Sequence, residues 1–235
     1  MKSNNAYIAL LALILSVPAW AGSTVSSYSG DIGFINTPPS SLVPGAVEND
    51  LKALLFMEDS DLSFASAITV NATAPGLYQS KASLTPGSIA AGTRISDTYI
   101  HADPVTSGTI FTGSVTFNTD ILGLIVTTND LFASDSFLGV TGTNYGGSTT
   151  PRGLELSPTQ DYFSISSNLR TLTFTLKTWA YTDDIRVITA GNFASTFGAS
   201  SAAQSPVPEP GTIALIGLGL GLIAVGARRR RRSGR

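Results

Sequence analysis

The sequence predicts an all-β domain, an antiparallel β-sandwich or jelly-roll-like fold, with an N-terminal signal peptide and one C-terminal transmembrane helix. Threonine occurs 26 times in residues 22–206, where lysine occurs three times, and threonine favours strands over helices. Short runs alternate between apolar and polar residues with the period of two that half-buried strands have. Glycine and proline pairs separate these runs, as turns separate the strands of a sandwich.

The most regular predicted strand covers residues 171–179, where three apolar residues alternate with threonine and lysine. This pattern places an apolar face on the core side and hydroxyl groups on the other side. Residues 109–117 show the same alternation, which Gly113 interrupts at a predicted bulge or close approach. Both segments are therefore predicted as half-exposed strands.

Residues 121–126 are apolar throughout, which predicts a central strand that is buried on both faces. The connection at residues 118–120 has hairpin length, so this strand is predicted to pair with residues 109–117. The sequence also predicts one helical turn at residues 129–134. Further strands are predicted at residues 51–57, 62–70, 96–101, 162–165 and 184–188.

The N-terminal end has the pattern of a secretory signal peptide. Lys2 precedes an apolar run at residues 6–17, and Ala19-Trp20-Ala21 provides small residues at Ala19 and Ala21 for cleavage. Cleavage after Ala21 would involve the Sec translocon and a signal peptidase. An uncleaved membrane anchor is the alternative, although the apolar run is short for it.

The C-terminal end combines Pro208-Glu209-Pro210, an uncharged stretch at residues 212–227 and an arginine cluster. As a helix, the stretch would span roughly 24 Å at about 1.5 Å per residue, against a hydrocarbon core of about 30 Å. A buried core helix is the alternative, but a directly following basic stop favours a membrane segment held from the cytoplasmic side. The basic stop consists of Arg228, Arg229, Arg230, Arg231 and Arg232.

This chain end resembles the PEP-CTERM sorting signal of exopolysaccharide-producing Gram-negative bacteria, also catalogued as an ice-binding-protein C-terminal domain. The resemblance covers about residues 206–235. It implies recognition by an exosortase, a membrane cysteine protease-transpeptidase, with cleavage near the motif. It further implies a precursor that is transiently anchored in the inner membrane and then delivered to the cell surface or the extracellular matrix of a biofilm.

The chain is predicted to divide into a signal peptide at 1–21, a β-rich ectodomain at 22–189, a flexible linker at 190–206 and a sorting signal at 207–235. Within the ectodomain, residues 96–189 resemble ectodomains that recur among PEP-CTERM proteins, through segments such as Tyr99-Ile100-His101-Ala102-Asp103-Pro104 and Asp184-Ile185-Arg186-Val187. This second resemblance implies an exported β-domain and adds no chemistry.

Charge and cysteine content exclude several function classes. Residues 22–206 hold seven basic and fifteen acidic residues, so their net charge is −8, whereas the whole chain has −2. A domain with this charge repels nucleic acid, and it repels anionic polymers unless cations bridge them. Because the chain has no cysteine, it can form neither a disulfide nor a thiolate site for zinc or catalysis.

Few residues suggest chemistry. The single histidine, His101, is interpreted as structural, because no Gly-x-Ser-x-Gly motif accompanies it. Glu58, Asp59 and Asp61 could supply calcium ligands, and a solvated turn is the alternative. Tyr145 in a glycine-rich loop could stack on a sugar ring, and a loop anchor packed on the domain is the favoured alternative.

These observations lead to the expectation of an exported surface or matrix protein with a structural or adhesive role, without enzymatic activity and without a cofactor. The alternative is a carbohydrate-binding module of the exopolysaccharide matrix, assisted by Ca²⁺ in one version. A secreted hydrolase that uses His101 or paired carboxylates is a rival from another class. Ice binding would need stacked repeats, and the sequence contains none.

Overall fold

The computed structural model describes residues 24–191. The predicted signal peptide, the predicted linker beyond Gly191 and the sorting signal lie outside these residues. None of the helices within residues 24–191 has the length and apolarity needed to cross a membrane.

Strands dominate the described part of the chain. They are β1 Val25–Gly30, β2 Ile32–Phe34, β3 Ala53–Ser63, β4 Ile68–Val70, β5 Gly76–Tyr78, β6 Gly87–Ile89, β7 Arg94–Ala102, β8 Thr109–Phe117, β9 Ile121–Ile125, β10 Tyr162–Ile165, β11 Thr171–Thr178 and β12 Asp183–Ala190. One α-helix, α1 Thr128–Leu138, follows β9, and a 3-10 turn at Lys81–Ser83 follows β5.

The strands form two five-stranded sheets and one small pair. The outer sheet has the order β1-β8-β11-β10-β5 and is antiparallel throughout. The central sheet has the order β2-β3-β7-β12-β9 and is antiparallel except for the parallel pair β2–β3. Strands β4 and β6 pair separately. The prediction of a mostly antiparallel all-β domain is confirmed.

The inner faces of the two large sheets share one hydrophobic cluster. Phe111, Val115 and Phe174 of the outer sheet belong to the same cluster as Ile100 and Val187 of the central sheet. All five side chains are almost completely buried. The alternation seen in residues 109–117 and 171–178 is thus explained, because only every second residue of β8 and β11 faces this core.

Gly113 lies on the core side of β8, close to side chains of both large sheets. A Cβ atom there would come within 2.6 Å of Phe174 and 2.7 Å of Ile32 Cδ1. Its neighbours pair with β1 and β11 in continuous register at this position. Of the two roles predicted for Gly113, the close approach is confirmed.

The central sheet is covered on its other face as well. A second hydrophobic cluster joins Phe56, Tyr99 and Ile188 of this sheet to Leu131 and Leu138 of α1. The helix begins after Thr127, whose hydroxyl accepts the amide of Asp130. Because α1 buries residues at helical spacing against the sheet, it extends over eleven residues and exceeds the single turn predicted from the sequence.

The predicted hairpin between residues 109–117 and 121–126 is wrong. Strand β8 belongs to the outer sheet, whereas β9 belongs to the central sheet and pairs with β12. The connection at residues 118–120 therefore crosses between the sheets. The predicted strands 51–57 and 62–70 also differ, because β3 continues through irregular pairing with β7 as far as Ser63.

Both ends of the described chain lie beside this crossing connection. The carbonyl of Thr24 accepts the amide of Asn118, and the carbonyl of Ala190 accepts the hydroxyl of Thr119. The opposite end of β8 starts at Thr109, next to Gly108, whose amide donates to Thr178. The chain thus enters and leaves the domain at one end of the sandwich.

Candidate functional site

The sequence-predicted processing residues lie outside the described residues. These are Ala19 and Ala21 at the signal peptide, the motif Pro208-Glu209-Pro210, and the arginines from Arg228 to Arg232. Three features within residues 24–191 remain as candidates: a buried ionic network, a carboxylate cluster and an exposed sheet face.

The buried ionic network lies between the central sheet and α1, and Arg186 of β12 is its centre. Its guanidinium donates two hydrogen bonds to Glu58, from Nε at 2.6 Å and from Nη2 at 2.8 Å. It also donates to Asp135, at 3.2 Å, and to the hydroxyl of Ser134. Both Arg186 and Glu58 have fully buried side chains, so this is a paired charge inside the protein.

Arg152 extends the network towards His101. It donates to Asp135 and, at 2.9 Å, to the hydroxyl of Tyr99, which in turn donates to Asp184 at 2.7 Å. The other oxygen of Asp184 lies 2.7 Å from His101 Nδ1. This chain of contacts connects α1, the central sheet and the loop that carries Arg152.

The surroundings of His101 do not form a hydrolase triad. Its side chain is buried, and within residues 24–191 its Nε2 atom has no hydrogen-bond partner, so no serine or threonine hydroxyl is positioned there as a nucleophile. The nearest charged group to Nε2 is Asp103, at 3.9 Å. The geometry is that of a structural histidine held by a carboxylate.

Burial changes the proton affinity of acids in the network. Burial, together with the nearby Glu58, raises the pKa of Asp97 well above its ordinary value. Burial also raises the pKa of Asp135, and the two arginines Arg152 and Arg186 oppose that rise. The network therefore favours the protonated form of Asp97 more than water does, because its carboxyl group is enclosed beside Glu58.

Glu58, Asp59 and Asp61 are not arranged as a calcium site. Glu58 binds Arg186, and both oxygens of Asp61 accept from Arg94. Each of these two carboxylates is thus already bound to an arginine. Asp59, which lies between them in the sequence, is half buried, and burial raises its pKa. Among residues 24–191, Glu58 and Asp61 thus have separate arginine partners, and these carboxylates do not converge on one point as a shared ligand set would.

Tyr145 anchors its glycine-rich loop. It is 5% exposed, its hydroxyl donates to Glu58, and its ring packs edge-on against Tyr99 with centroids 5.4 Å apart. Burial and the adjacent Glu58 carboxylate raise the pKa of its phenol far above the ordinary value. The stacking role suggested for Tyr145 is thereby corrected in favour of the loop anchor, since the ring is not open to a sugar.

Three other carboxylates come together at the end of the sandwich. Glu155, Asp161 and Asp183, here called the carboxylate cluster, offer oxygens that all lie within 4.8 Å of one another. Asp183 accepts from the hydroxyl of Thr178, and Asp161 accepts the amides of Glu155 and Lys177. Asp183 starts β12, and Arg186 in the same strand binds the carboxylates of the ionic network instead of this cluster.

Crowded carboxylates need either protons or a cation. Burial, with the nearby charge of Asp161, raises the pKa of Asp183 to about 9. Burial likewise raises the pKa of Asp161 and of the exposed Glu155. A proton on Asp183, or a cation bound between the three carboxylates, would relieve the repulsion among these groups.

The third feature is the solvent face of the outer sheet. The side chains of β8 and β11 that point away from the core all carry hydroxyl groups over three successive cross-strand pairs. These six residues, here called the hydroxyl face, are Thr112, Ser114, Thr116, Thr171, Thr173 and Thr175.

The hydroxyl face continues onto the neighbouring strands. Ser164 and Tyr162 of β10 pair with Thr173 and Thr175 on one side, and Ser29 of β1 pairs with Ser114 on the other. Beyond the β11 end lies Trp179, which is 51% exposed, with Lys177 Nζ 4.9 Å from its ring centroid. In the described part of the chain, no helix or loop layer covers this face comparable to the one over the central sheet.

The sequence predicted the hydroxyl face for β11 alone. The alternation in residues 171–179 placed its threonines on one side, but only the register of β8 with β11 brings six hydroxyl-bearing residues together. The carboxylate cluster and the ionic network were not predicted, because their members lie far apart in sequence.

Comparison with known proteins gives one match. Residues 206–232 match the family model of the PEP-CTERM protein-sorting motif, which confirms the resemblance inferred from Pro208-Glu209-Pro210 and the arginines that follow. No curated protein and no solved structure matches this chain.

Proposed function

We propose, from the premise that the chain carries a PEP-CTERM sorting motif, that this is an exosortase-processed protein of the cell surface or extracellular matrix with a structural or adhesive, non-enzymatic role. The match at residues 206–232 carries the proposal, because that motif implies export and membrane-anchored sorting in a Gram-negative bacterium. The precursor would be held in the inner membrane until the exosortase acts on it.

The absence of an enzymatic role is part of the proposal. It is supported by the hydrogen bonds and ion pairs that already bind several polar groups suited to catalysis within residues 24–191. His101 Nδ1 is bound to Asp184, and the guanidinium groups of Arg152 and Arg186 are buried against carboxylates. A buried, mutually paired network of this kind stabilises one packing arrangement and leaves no group open to a substrate.

Processing in the native organism tests the sorting proposal. We expect the mature protein to begin at Gly22, to lack the terminal arginines by intact mass, and to occur in the surface or medium fraction. Glu209→Ala should leave uncleaved precursor in the inner membrane, whereas Glu48→Ala, at an exposed glutamate of the domain, should be processed normally. Full-length protein that stays in the cytosol would refute the proposal.

We further propose that the protein works without a bound cofactor. Its carboxylate cluster can hold a proton on Asp183, whose pKa is raised to about 9, and so does not depend on a cation. The midpoint of thermal unfolding should be the same in millimolar Ca²⁺ and in a chelator. An upward shift in Ca²⁺ that Asp161→Asn abolishes would contradict this and identify the cluster as the ligand set.

The alternative function is a carbohydrate-binding module of the exopolysaccharide matrix. The hydroxyl face with the exposed Trp179 favours it, because hydroxyl groups and an aromatic ring are the groups that recognise sugars. The two functions are compatible, since binding a matrix polysaccharide is one way in which a surface protein adheres.

A further inference from the structure

We infer that the hydroxyl face, with Trp179 at one end, binds an uncharged polysaccharide laid along β8 and β11. The inference rests on the proposed function, because it names the ligand class that an adhesive surface protein would take. It starts from the contrast between the two large sheets: the central sheet is covered on both faces, whereas the outer sheet presents six aligned hydroxyl-bearing residues to solvent.

The spacing of the hydroxyl groups is regular in two directions. Neighbouring strands are about 4.8 Å apart, and alternate residues along a strand are roughly 6.8 Å apart. Three pairs, Thr116 with Thr171, Ser114 with Thr173, and Thr112 with Thr175, therefore form a two-dimensional array. An extended polymer of repeating hydroxylated rings can contact such an array over several units.

The hydroxyl groups at the centre of the array are free to bind. Within residues 24–191, no hydrogen bond joins the hydroxyls of Ser114, Thr173 or Thr175 to another protein group, although Thr116 and Thr171 bond to each other at 3.2 Å. A hydroxyl both donates and accepts, as sugar hydroxyls do, so the array can match either polarity. The threonine methyl groups add apolar surface for the C–H faces of the rings.

Trp179 supplies a stacking platform at one end of the array. Half of its surface is exposed, Lys177 Nζ lies 4.9 Å from its ring centroid, and the Cβ position of Gly108 lies 3.5 Å from the ring. A ring held in place loses little conformational freedom when a ligand binds. Tyr162, which pairs with Thr175, places a second aromatic side chain on the same face.

Charge selects an uncharged ligand. None of the six residues of the hydroxyl face is charged. Lys177 follows Thr175 at one end, Arg170, which is paired with Asp120, precedes Thr171 at the other, and Asp31 accepts the amide and the hydroxyl of Thr112. Because the domain as a whole has a net charge of −8, a polyanion would be repelled as it approached.

The last described residues and Trp179 lie at different ends of the sandwich. Ala190 bonds to Asp120 and Thr119 at the end of the sandwich where β8 ends, whereas Trp179 lies at the end where β8 begins. The nine residues of β8 separate the two ends by roughly 27 Å. The last described residues therefore lie far from the aromatic end of the surface.

Retention of the mature protein, purified from producing cells, in gels that contain a soluble polysaccharide tests the inference. The probes are a mixed-linkage β-glucan, mannan and dextran as uncharged polymers, and alginate as a polyanion. We expect retention by at least one uncharged polymer and none by alginate. Trp179→Ala should weaken the retention constant about tenfold, as truncation of a central aromatic contact does.

Two further variants separate binding from folding. Ser114→Ala combined with Thr173→Val removes two free hydroxyls while keeping strand-compatible side chains, and should weaken retention several-fold without lowering the unfolding midpoint. Phe132→Ala removes an exposed aromatic residue of α1 and should leave retention unchanged. Equal retention of all four proteins would overturn the inference.

Other outcomes are equally decisive. No retention of wild type by any uncharged polymer, or equal retention by alginate, refutes the inference while correct processing leaves the proposed function standing. Self-association that Trp179→Ala abolishes, seen by size-exclusion chromatography, would assign the face to a second copy of the chain instead. Failure of export refutes the proposed function, whether or not the purified protein binds a polysaccharide.

Discussion

The two large sheets differ in which of their faces are buried and in where their charged residues lie. The outer sheet has an apolar inner face and an uncharged, hydroxyl-rich solvent face. The central sheet is buried on both faces and carries Asp97, His101, Asp184 and Arg186 on the side that faces α1. Ionisable residues thus lie in the buried scaffold of this domain, whereas its candidate binding surface consists of neutral side chains.

The largest expected effect comes from breaking the ionic network. Arg186→Met leaves Glu58 buried without its cation, and removal of one partner from a buried pair lowers the free energy of unfolding by about 3–5 kcal/mol. Denaturant unfolding measures the loss. The matched control is Arg170→Met in the outer sheet's connection, where the ion pair with Asp120 is half exposed and should matter little.

If the Arg186→Met protein does not fold, a double variant still tests the role of the network. The double variant Glu58→Gln, Arg186→Met removes both charges and should recover part of the lost free energy of unfolding, because no unpaired charge remains buried. Equal effects of the Arg170 and Arg186 single substitutions would contradict the assignment of the network as the scaffold.

A smaller loss of stability should follow from adding a methyl group at Gly113, at the interface between the sheets. Gly113→Ala places a methyl group 2.6 Å from Phe174 of the same sheet and 2.7 Å from Ile32 of the central sheet, so these side chains must shift, which costs about 1–3 kcal/mol of the free energy of unfolding. Gly147→Ala is the control, because nothing lies within 4 Å of its Cβ position. If thermal unfolding gave both variants the wild-type midpoint, the described close approach of the sheets would be wrong.

The carboxylate cluster should make stability depend on pH. The pKa of Asp183 is about 9 in the folded protein and 3.8 ordinarily, so the folded state binds the proton more tightly. Its contribution to stability is therefore complete below about pH 4 and is lost as the pH rises towards 9. Asp183→Asn should raise the free energy of unfolding by roughly 1–2 kcal/mol at pH 8, with a smaller gain at pH 5.

Unfolding curves of both proteins at the two pH values measure this difference. Asp31→Asn is a suitable comparison, because that aspartate is half buried at the sheet margin and, within residues 24–191, its carboxylate accepts hydrogen bonds from Thr112 alone. A gain for Asp183→Asn that is the same at both pH values would show that the proton on Asp183 is not its cause.

The smallest effect is expected on the hydroxyl face itself. Thr173→Val should change the free energy of unfolding by less than about 0.5 kcal/mol, as surface substitutions usually do. Thr189→Val in the central sheet should cost about 1 kcal/mol, because its buried hydroxyl donates to the carbonyl of Ser96. Equal losses, measured by denaturant unfolding, would remove the distinction between a free and a structural hydroxyl.

Strands of the outer sheet were easier to predict from the sequence than strands of the central sheet. Strands β8, β10 and β11 were predicted almost to the residue. In a sheet with one solvent-exposed face, apolar and polar residues alternate along each strand, and this alternation is visible in the sequence. In β7 and β12 both faces are buried, and charged residues occupy one of them. Their location was predicted, but their burial could not be, since charge normally indicates exposure.

Long-range pairing caused the specific errors. Arg186 binds Glu58, which is 128 residues away in the sequence, so no local pattern could indicate this pair. Strand β9 was expected to pair with β8, yet it pairs with β12. A local pattern cannot distinguish these partners, because the pairing depends on which sheet each strand joins and on what covers that sheet.

The sequence by itself determined the all-β class, the acidic and cysteine-free character of the domain and the sorting motif at residues 206–232, because composition and short ordered motifs are local properties. The tertiary structure alone decided which sheet is covered, why Glu58 and Tyr145 are structural, and how separate strands assemble the hydroxyl face. These depend on strand register and layer packing, which bring together residues that no sequence window contains.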